Sequence, residues 1–574
     1  MFLQPLTGYL YSIVKPVANF SQVPFVNGQL YFIPLGGSGE IGMNFNVYRC
    51  DDQYLLVDVG ITFGDDSTPP GIDVICPDVS ALRSVRDQIV GIVITHAHED
   101  HVGALHYLWN KLKAPVYCTP FTASVARRKL GEAGLLDQVP LHEVLPGSHL
   151  ELGCFRMEWV TLTHSIPEPN ALVIQVAGRT VFHTGDWKLD PHPIEGEHYD
   201  DRRLLALGET GIEYVVGDST NATVEGWSGS EAECHKALLQ VIAKQPNRVA
   251  VTCFSSNTAR LSSLGDIAHE TGRRITVLGR SLFNYLQTAK ATGYLKNFPD
   301  LVPTEDLDYL PKSEQLILAT GSQGEPRAAM ARLAKGEHQD LLLEPDDTVV
   351  FSSKVIPGNE KKLYRLYDLL SQKKVNVVTE QDAPIHVSGH PCRDELRWMY
   401  RALRPSCVIP VHGEERHMAA HVELATEMGL DSARVVNGDV LHLSAKGATC
   451  IARVQTGRLG LSGSSLVPLN DRALSERRAL ADGGLMTLTV VLDKKARLAT
   501  EPQVQFVGVP SGDVDPESLD SDLKYAIEDI LAEQNSRTLQ SDDALRNALQ
   551  REVGSLVRQW LGVKPKQLVN IVRL

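Results

Sequence analysis

The sequence contains no CxxC pair, and its nine cysteines, an odd number, are scattered from Cys50 to Cys450. That spacing excludes a thiolate zinc site and argues against a disulfide framework, so reduced thiols and a cytoplasmic setting are expected. No apolar run approaches the ~20 residues that cross a bilayer. The first stretch, MFLQPLTGYLYSIVKPVANF, has no basic residue before Lys15 and no clean apolar centre. It is not read as a signal peptide, and residues 1–24 are expected to be an N-terminal extension. Positive charge is also scarce: 56 Lys and Arg face 70 Asp and Glu, a net charge of −14. Such a chain does not bind a polyanion through bulk charge and would need a local basic groove. Arg260, Arg280, Lys354 and Lys361 are candidates for that groove.

What is present is an ordinary globular balance, 43% hydrophobic and 22% charged, on a 574-residue chain too long for one core. Short apolar runs end repeatedly in polar residues: 54-YLLVDVG-60, 89-IVGIVITH-96, 181-VFHTGD-186, 214-YVVGDST-220, 249-VAVTCFSSN-257, 316-LILATGSQGE-325, 348-TVVFSSK-354 and 407-CVIPVHGE-414. Helix-like stretches such as 231-EAECHKALLQVIAKQ-245 and 393-RDELRWMYRAL-403 fall between them. Continuous apolar strands alternating with helices predict an α/β chain with buried sheets and a site at the carboxyl ends of the strands. Near residue 455 the texture changes. The Gly- and Ser-rich segment 454–474 reads as a linker. A strand at 486–495 and helical patterns at 514–534 and 541–563 then predict a separate α+β domain over 475–574.

The chemistry concentrates in 95-THAHEDHVGAL-105, where three histidines and an aspartate fall within six residues, directly after an apolar strand. His96 and His98, two apart in an extended loop, can converge on one ion, and Asp100 and His101 follow where a helix begins. Imidazole nitrogen and carboxylate oxygen are the ligands of hydrolytic zinc. Four ligands from one loop do not complete a two-metal site. His164, Asp186 and His412 also follow short β-like runs and are the candidates for the rest. A carboxylate has two oxygens, so Asp186 is assigned as the bridge. His96, His98 and His164 then hold one metal, and Asp100, His101 and His412 the other. Two such cations can activate a shared water and clamp a phosphoryl oxygen. Nitrogen and oxygen ligands accept zinc or manganese.

The order HxHxDH, His164, Asp186, His412 resembles the metallo-β-lactamase superfamily, in which Asp58 matches the first conserved aspartate and supports the loop. Asp218 in 217-GDSTN-221, a long insert, and His390 in 386-HVSGH-390 further resemble the β-CASP nucleases. Within these the chain is similar to the ribonuclease J family of bacteria, through 35-LGGSGEIGMN-44, 96-HAHEDHVGAL-105, 164-HSIPEP-169, 184-TGDWKLD-190, 253-CFSSNTAR-260, 320-TGSQGEP-326, 351-FSSKVIPGNE-360, 386-HVSGH-390 and 409-IPVHGEERH-417. The resemblance implies a metallo-β-lactamase αββα sandwich (25–206 and 381–453), an inserted α/β β-CASP domain (207–380) and the small α+β C-terminal domain. It implies 5′→3′ exonucleolytic and endonucleolytic cleavage of RNA with a 5′-monophosphate, in RNA processing and decay, using two zinc ions. Asp100, Asp186, Asp218 and His390 would serve catalysis. Ser255, Ser256, Asn257 and His386, Val387, Ser388, Gly389 and His390 would form the phosphate or nucleotide pocket. Gly71, Asp73 and Asp471 are candidate ligands of a structural calcium. A homodimer or homotetramer with RNA-decay partners and no membrane is expected.

Three other readings stay open at this level. A β-CASP nuclease acting on DNA or only endonucleolytically would differ in contacts to the 2′-hydroxyl, which a sequence does not display. A small-molecule metallo-hydrolase would need neither the insert nor His390. A non-enzymatic RNA-binding scaffold would be expected to have lost ligands, whereas all seven positions are filled. For Ser255–Asn257 the plainer alternative is a strand-to-helix cap.

Overall fold

A computed structural model describes residues 17, 19–510 and 516–574. The expected N-terminal extension therefore lies mostly outside the described residues; within them, Phe20 is fully buried. The chain divides into two compact units, one containing the residues up to Phe63 with Val74–Arg458, the other Gly64–Asp73 with Leu459–Leu574.

The first unit contains two large mixed sheets. The eight-stranded sheet runs, in spatial order, Gly447–Arg453, Asp439–Ser444, Leu30–Gly36, Phe45–Cys50, Gln53–Val57, Ile89–Val93, Val116–Cys118 and Leu141–Glu143. The seven-stranded sheet runs His149–Leu152, Phe155–Thr161, Asn170–Val176, Arg179–His183, Tyr214–Asp218, Cys407–Val411 and Asp431–Ser432. Each is antiparallel over its first strands and parallel over its last ones. Their facing sides share one core, in which Phe32, Tyr48, Leu55 and Val57 pack with Trp159, Leu172, Ile174, Val216 and Ile409. The strands that carry functional residues are buried along their whole length, as in Tyr214–Asp218 and Cys407–Val411, because helices cover the outer faces. On the second sheet that cover comes from Leu204, Leu207, Met399 and Leu424 against Phe182, Val215 and Val408. This is the αββα sandwich expected from the sequence. Tyr214–Asp218 pairs in parallel with Cys407–Val411, so it belongs to the sandwich, and the insert leaves the chain only after it.

The insert holds a five-stranded, fully parallel sheet in the order Arg274–Leu278, Gln315–Ala319, Val249–Thr252, Thr348–Phe351, Asn376–Val378. Its helices pack on it through Leu333, Leu363, Leu366 and Leu370. The α/β character read from 249-VAVTC and 316-LILAT is therefore that of a doubly wound layer, with its loops at the strand carboxyl ends.

The second unit is α+β. Leu485–Leu492 is the central strand between Gln503–Val507 and Lys566–Arg573, and its alternating burial sends Met486, Leu488, Val490 and Leu492 into a core with Leu523, Ile527, Leu549 and Val553 of the two long helices. The segment read as a linker, 454–474, contains a hairpin: Arg458–Ser462 pairs antiparallel with Ser465–Pro468. Gly463, at φ +62°, supplies the left-handed turn that glycine adopts without strain. The Gly and Ser content that suggested a linker thus belongs to a tight turn.

Candidate metal centre

Past the strand Ile89–Val93, beyond Thr95, the chain turns so that His96 and His98 point the same way before the short helix Glu99–Val102 begins. The bend needs close backbone approach. A Cβ on Gly60 would sit 1.6 Å from the Asp100 carbonyl oxygen. His164 follows Phe155–Thr161, Asp186 follows Arg179–His183, Asp218 ends Tyr214–Asp218 and His412 follows Cys407–Val411. Strands of both sheets therefore deliver these side chains to one end of the sandwich.

There the seven expected ligands converge. His96, His98, His164 and Asp186 form one group, and Asp100, His101, Asp186 and His412 a second, with the candidate ligand atoms of each group within 4.8 Å of one another. Asp186 Oδ2 lies 3.1 Å from His101 Nε2, 3.8 Å from His96 Nε2 and 3.9 Å from His164 Nε2, and Asp186 Oδ1 is 3.1 Å from His412 Nδ1. His412 Nε2 is 3.1 Å from Asp100 Oδ2. A third overlapping group joins Asp186, Asp218, His390 and His412.

Two observations test whether these residues suit a metal. His98 Nδ1 is 3.1 Å from His96 Nε2 and 3.0 Å from His164 Nε2. One imidazole nitrogen cannot share a single proton with two others, whereas a tetrahedral zinc with Zn–N of about 2.0–2.1 Å sets its nitrogens about 3.3 Å apart. Asp186 Oδ1 is moreover buried and makes no hydrogen bond, His412 Nδ1 lying 3.1 Å away without hydrogen-bond alignment, so a cation would satisfy it. The donor set fits. Protonation points the same way in the first group, whereas at His101 and His412 burial is outweighed by the Asp186 and Asp100 carboxylates, which hold those two rings above the usual histidine range. Burial, reinforced by neighbouring histidines, holds His96 and His164 well below the usual histidine range. Burial likewise pushes His98 down to about 3. These rings are neutral, as metal ligands must be.

A supporting layer fixes the rings. His101 Nδ1 is 2.7 Å from Asp58 Oδ2, which leaves Nε2 facing Asp186. Thr95 links this carboxylate to His96: its Oγ is 3.0 Å from Asp58 Oδ2 and 3.0 Å from His96 Nδ1. His164 Nδ1 donates to the Gly389 carbonyl, which leaves Nε2 for the cluster. The approach requires glycine, since a Cβ on Gly389 would lie 2.6 Å from the His164 ring. Asp58 and His412 both adopt left-handed backbone, φ +64° and +50°, a conformation tolerated by Asp and His more than by most residues. Asn44 Nδ2 is 3.0 Å from His101 Nε2, and Tyr285 of the insert donates to the Ala97 carbonyl at 3.2 Å.

His390 stands beside the cluster, its Nδ1 2.7 Å from Asp218 Oδ2 and 3.8 Å from Asp186 Oδ2. Burial alone would lower its pKa, but the Asp218 carboxylate outweighs it and raises the group. Asn221 donates to Ser388 Oγ at 2.7 Å and to the His390 carbonyl at 3.1 Å, so the Asp218 loop and the 386–390 loop are tied together. Among the expected pocket residues, Ser255 Oγ is 2.8 Å from Ser281 Oγ. His386 Nδ1 is buried without a partner, and burial pushes this ring down to about 3. Asn257 caps the helix Thr258–Thr271, accepting the Arg260 N–H at 2.9 Å, so its side chain is committed to the cap. Arg260, a candidate for the basic groove, is instead fully buried and paired with Glu231 at 3.1 Å; Arg280, Lys354 and Lys361 are exposed. Asp471 caps the helix Arg472–Gly483, and an Arg477 guanidinium nitrogen lies 3.8 Å from where a Cβ on Gly71 would stand. Among the described residues, every gathered group of three or more His, Cys, Asp or Glu lies in the one cluster, so Gly71, Asp73 and Asp471 are not part of such a group. His183, three residues before Asp186, turns away to Tyr48 OH at 2.9 Å.

Fold and site together define a metallo-β-lactamase-type hydrolase with a β-CASP insert. Family models agree along the chain: "Beta-lactamase superfamily domain" matches 70–213, "Ribonuclease J, beta-CASP domain" 246–370, "Zn-dependent metallo-hydrolase RNA specificity domain" 360–436 and "Ribonuclease J C-terminal domain" 472–574. Ribonuclease J of Sinorhizobium meliloti is 38% identical over 95% of this chain and 98% of its own length. That of Synechocystis sp. is 36% identical over 94% and 86%, and that of Mycolicibacterium smegmatis 37% over 82% and 85%. A solved protein of unknown function from Enterococcus faecalis V583 shares the fold, with a TM-score of 0.52 at 15% identity over 72% of this chain and 100% of that one. The chain belongs to the ribonuclease J family, and is thus a metal-dependent nuclease hydrolase. No helix among the described residues is long and apolar enough to cross a membrane.

Proposed function

We propose that this nuclease is a zinc-dependent ribonuclease that degrades RNA 5′→3′, also cuts internally, and prefers ends bearing a 5′-monophosphate, in RNA processing and decay. The observation that carries the reading is the meeting of two four-ligand groups at Asp186 with the Asp218–His390 pair against their edge. His96, His98 and His164 would hold one ion and Asp100, His101 and His412 the other, with Asp186 shared between the two groups. Two divalent ions held there supply an activated water and positive charge for the phosphoryl oxygens.

The chain's own groups do the rest. Asp218 holds His390 by Nδ1 and leaves Nε2 free to serve the departing oxygen. His98, Asp100 and His390 are the partly exposed members of a cluster that is otherwise buried, so the phosphodiester approaches from their side. Ser255, Ser256 and the 386–390 loop supply small hydroxyls and backbone N–H groups suited to a terminal phosphate. Asn257 acts there by holding the helix start. The exposed Arg280, Lys354 and Lys361 give the backbone of a polyanion local positive partners on a chain of net charge −14. Assembly as a homodimer or homotetramer belongs to the same reading and is checked by light scattering.

The test uses two 3′-labelled RNAs that differ only in a 5′-monophosphate or 5′-triphosphate, a matched DNA, and His98→Ala. Mononucleotides should be released from the monophosphate RNA, with the variant at least about 100-fold slower. Internal cuts alone, or equal cutting of DNA, would keep the metallo-nuclease and overturn the assignment of substrate and polarity. Hydrolysis of small esters with no strand cleavage would overturn nuclease action altogether.

A further inference from the structure

Glu395 lies outside every motif of the cluster, yet it is fully buried and its carboxylate accepts four hydrogen bonds from three chain segments. Oε1 accepts the Leu189 N–H at 3.0 Å and the Ser228 hydroxyl at 2.7 Å. Oε2 accepts the Ser228 N–H at 2.9 Å and the Cys392 N–H at 2.8 Å. Leu189 lies three residues past the bridging Asp186, Cys392 two past His390, and Ser228 on the approach to the first helix of the insert, Glu231–Ala243. Three backbone N–H groups and one hydroxyl reach the carboxylate, and its two oxygens accept from all four.

The same junction is stitched from the Asp186 side. Thr163, next to His164, donates its hydroxyl to the Lys188 carbonyl at 2.8 Å and accepts the Asp190 N–H at 2.9 Å. Asp190 pairs with the buried Lys188 at 3.0 Å and accepts the Glu231 N–H at 2.9 Å. The strand-end loop that carries the bridging ligand is thereby attached to His164 and to the insert. Its attachment to the segment after His390 runs through Glu395.

We infer that Glu395 is a positioning residue that sets His390 against Asp186, fixing the leaving-group side of the site relative to the metal side. Asp186 Oδ2 and His390 Nδ1 stand 3.8 Å apart, and a shift of about 1 Å between reacting groups can cost on the order of 100-fold in rate. The inference rests on the phosphodiesterase reading of the site.

Glu395→Gln separates positioning from mere packing. With its amide oxygen at the Oε2 place, the side chain keeps the Ser228 and Cys392 N–H bonds. Its NH2 group can donate to the Ser228 hydroxyl, so the one bond lost is that from Leu189. Holoenzyme is assayed on bis(p-nitrophenyl) phosphate and on the 5′-monophosphate RNA, with metal content and thermal midpoint measured on the same preparations. The expected result is two bound metals, a near-wild-type midpoint, unchanged KM and a kcat lowered about 10- to 100-fold on both substrates. Ser228→Ala, which removes one hydroxyl and leaves the Leu189 bond, should stay within about twofold of wild type. Unchanged kcat in Glu395→Gln overturns the inference, as does loss of metal together with loss of fold while kcat per metal-loaded molecule is kept. A wild type that hydrolyses the small diester but not the RNA would sink the RNA reading and leave Glu395 fully testable.

Discussion

At the scale of single residues, the cluster depends on side chains that hold its ligands in place without being ligands themselves. Asp58 shows this most simply. It is 1% exposed, holds left-handed backbone, and binds the Thr95 N–H at 2.8 Å as well as His101. Asn fits the same shape and tolerates the same backbone, but one of its two terminal groups is a donor. It must therefore lose either the Thr95 contact or the firm hold on His101 Nδ1. Partners of this kind typically account for 10- to 100-fold in metal affinity. Asp58→Asn is accordingly expected to fold and to bind metal about 10- to 100-fold more weakly at the His101 position, measured by competition with a chromophoric chelator. An unchanged affinity would mean that Thr95 and Asn44 orient the ring unaided.

At the scale of elements, the helices of the insert are fixed by a charge pair where the sequence suggested a surface cation. Arg260 lies on the first turn of Thr258–Thr271, is fully buried, and reaches Glu231 at the start of the preceding helix, together with the Ser352 and Ile385 carbonyls at 3.0 Å each. Removing one partner of a buried pair leaves an uncompensated charge and costs about 3–5 kcal/mol. Arg260→Ala should therefore lower the urea stability of the first unit by that amount, while Arg280→Ala, on the exposed helix start, should change it by less than about 0.5 kcal/mol. Equal effects would return Arg260 to the surface.

The contrast shows where legibility ended. HxHxDH after a strand was readable because its ligands are local, and the later ligands because each closes an apolar run. The doubly wound insert was readable for the same reason. Arg260 was misplaced because one position on a helix decides between cleft and core, and the partner that decides it, Glu231, lies 29 residues away. Glu395 and Tyr285 were invisible because their contacts, Leu189 and Ala97, lie 206 and 188 residues away in the chain. The hairpin at Arg458–Pro468 was hidden by glycine and serine, which mark turns and linkers alike.

At the scale of the whole molecule, burial of histidine couples stability to pH. His421 is fully buried on the helix Glu415–Glu427, its Nδ1 2.9 Å from Ser219 Oγ and its Nε2 against Tyr400 OH. Burial pushes it down to about 4; Asp218 opposes that shift and Arg393 adds to it. Above the unfolded histidine value of about 6.5, the ring is neutral in both states and contributes no pH dependence. As pH falls from there towards 4, the unfolded chain takes up a proton that the folded site refuses, so stability is lost, and the loss levels off below the folded value. The full effect of this one site is about 3 kcal/mol. His421→Gln should be less stable than wild type at pH 7, because it disturbs the contacts to Ser219 and Tyr400. The gap should then narrow by up to about 3 kcal/mol as pH approaches 4. Urea titrations with chelator present at every pH keep metal release out of the comparison. A gap that stays constant between pH 7 and pH 4.5 would show that His421 takes up its proton inside the folded protein, with the Ser219 and Tyr400 hydroxyls turning to accept from both ring nitrogens.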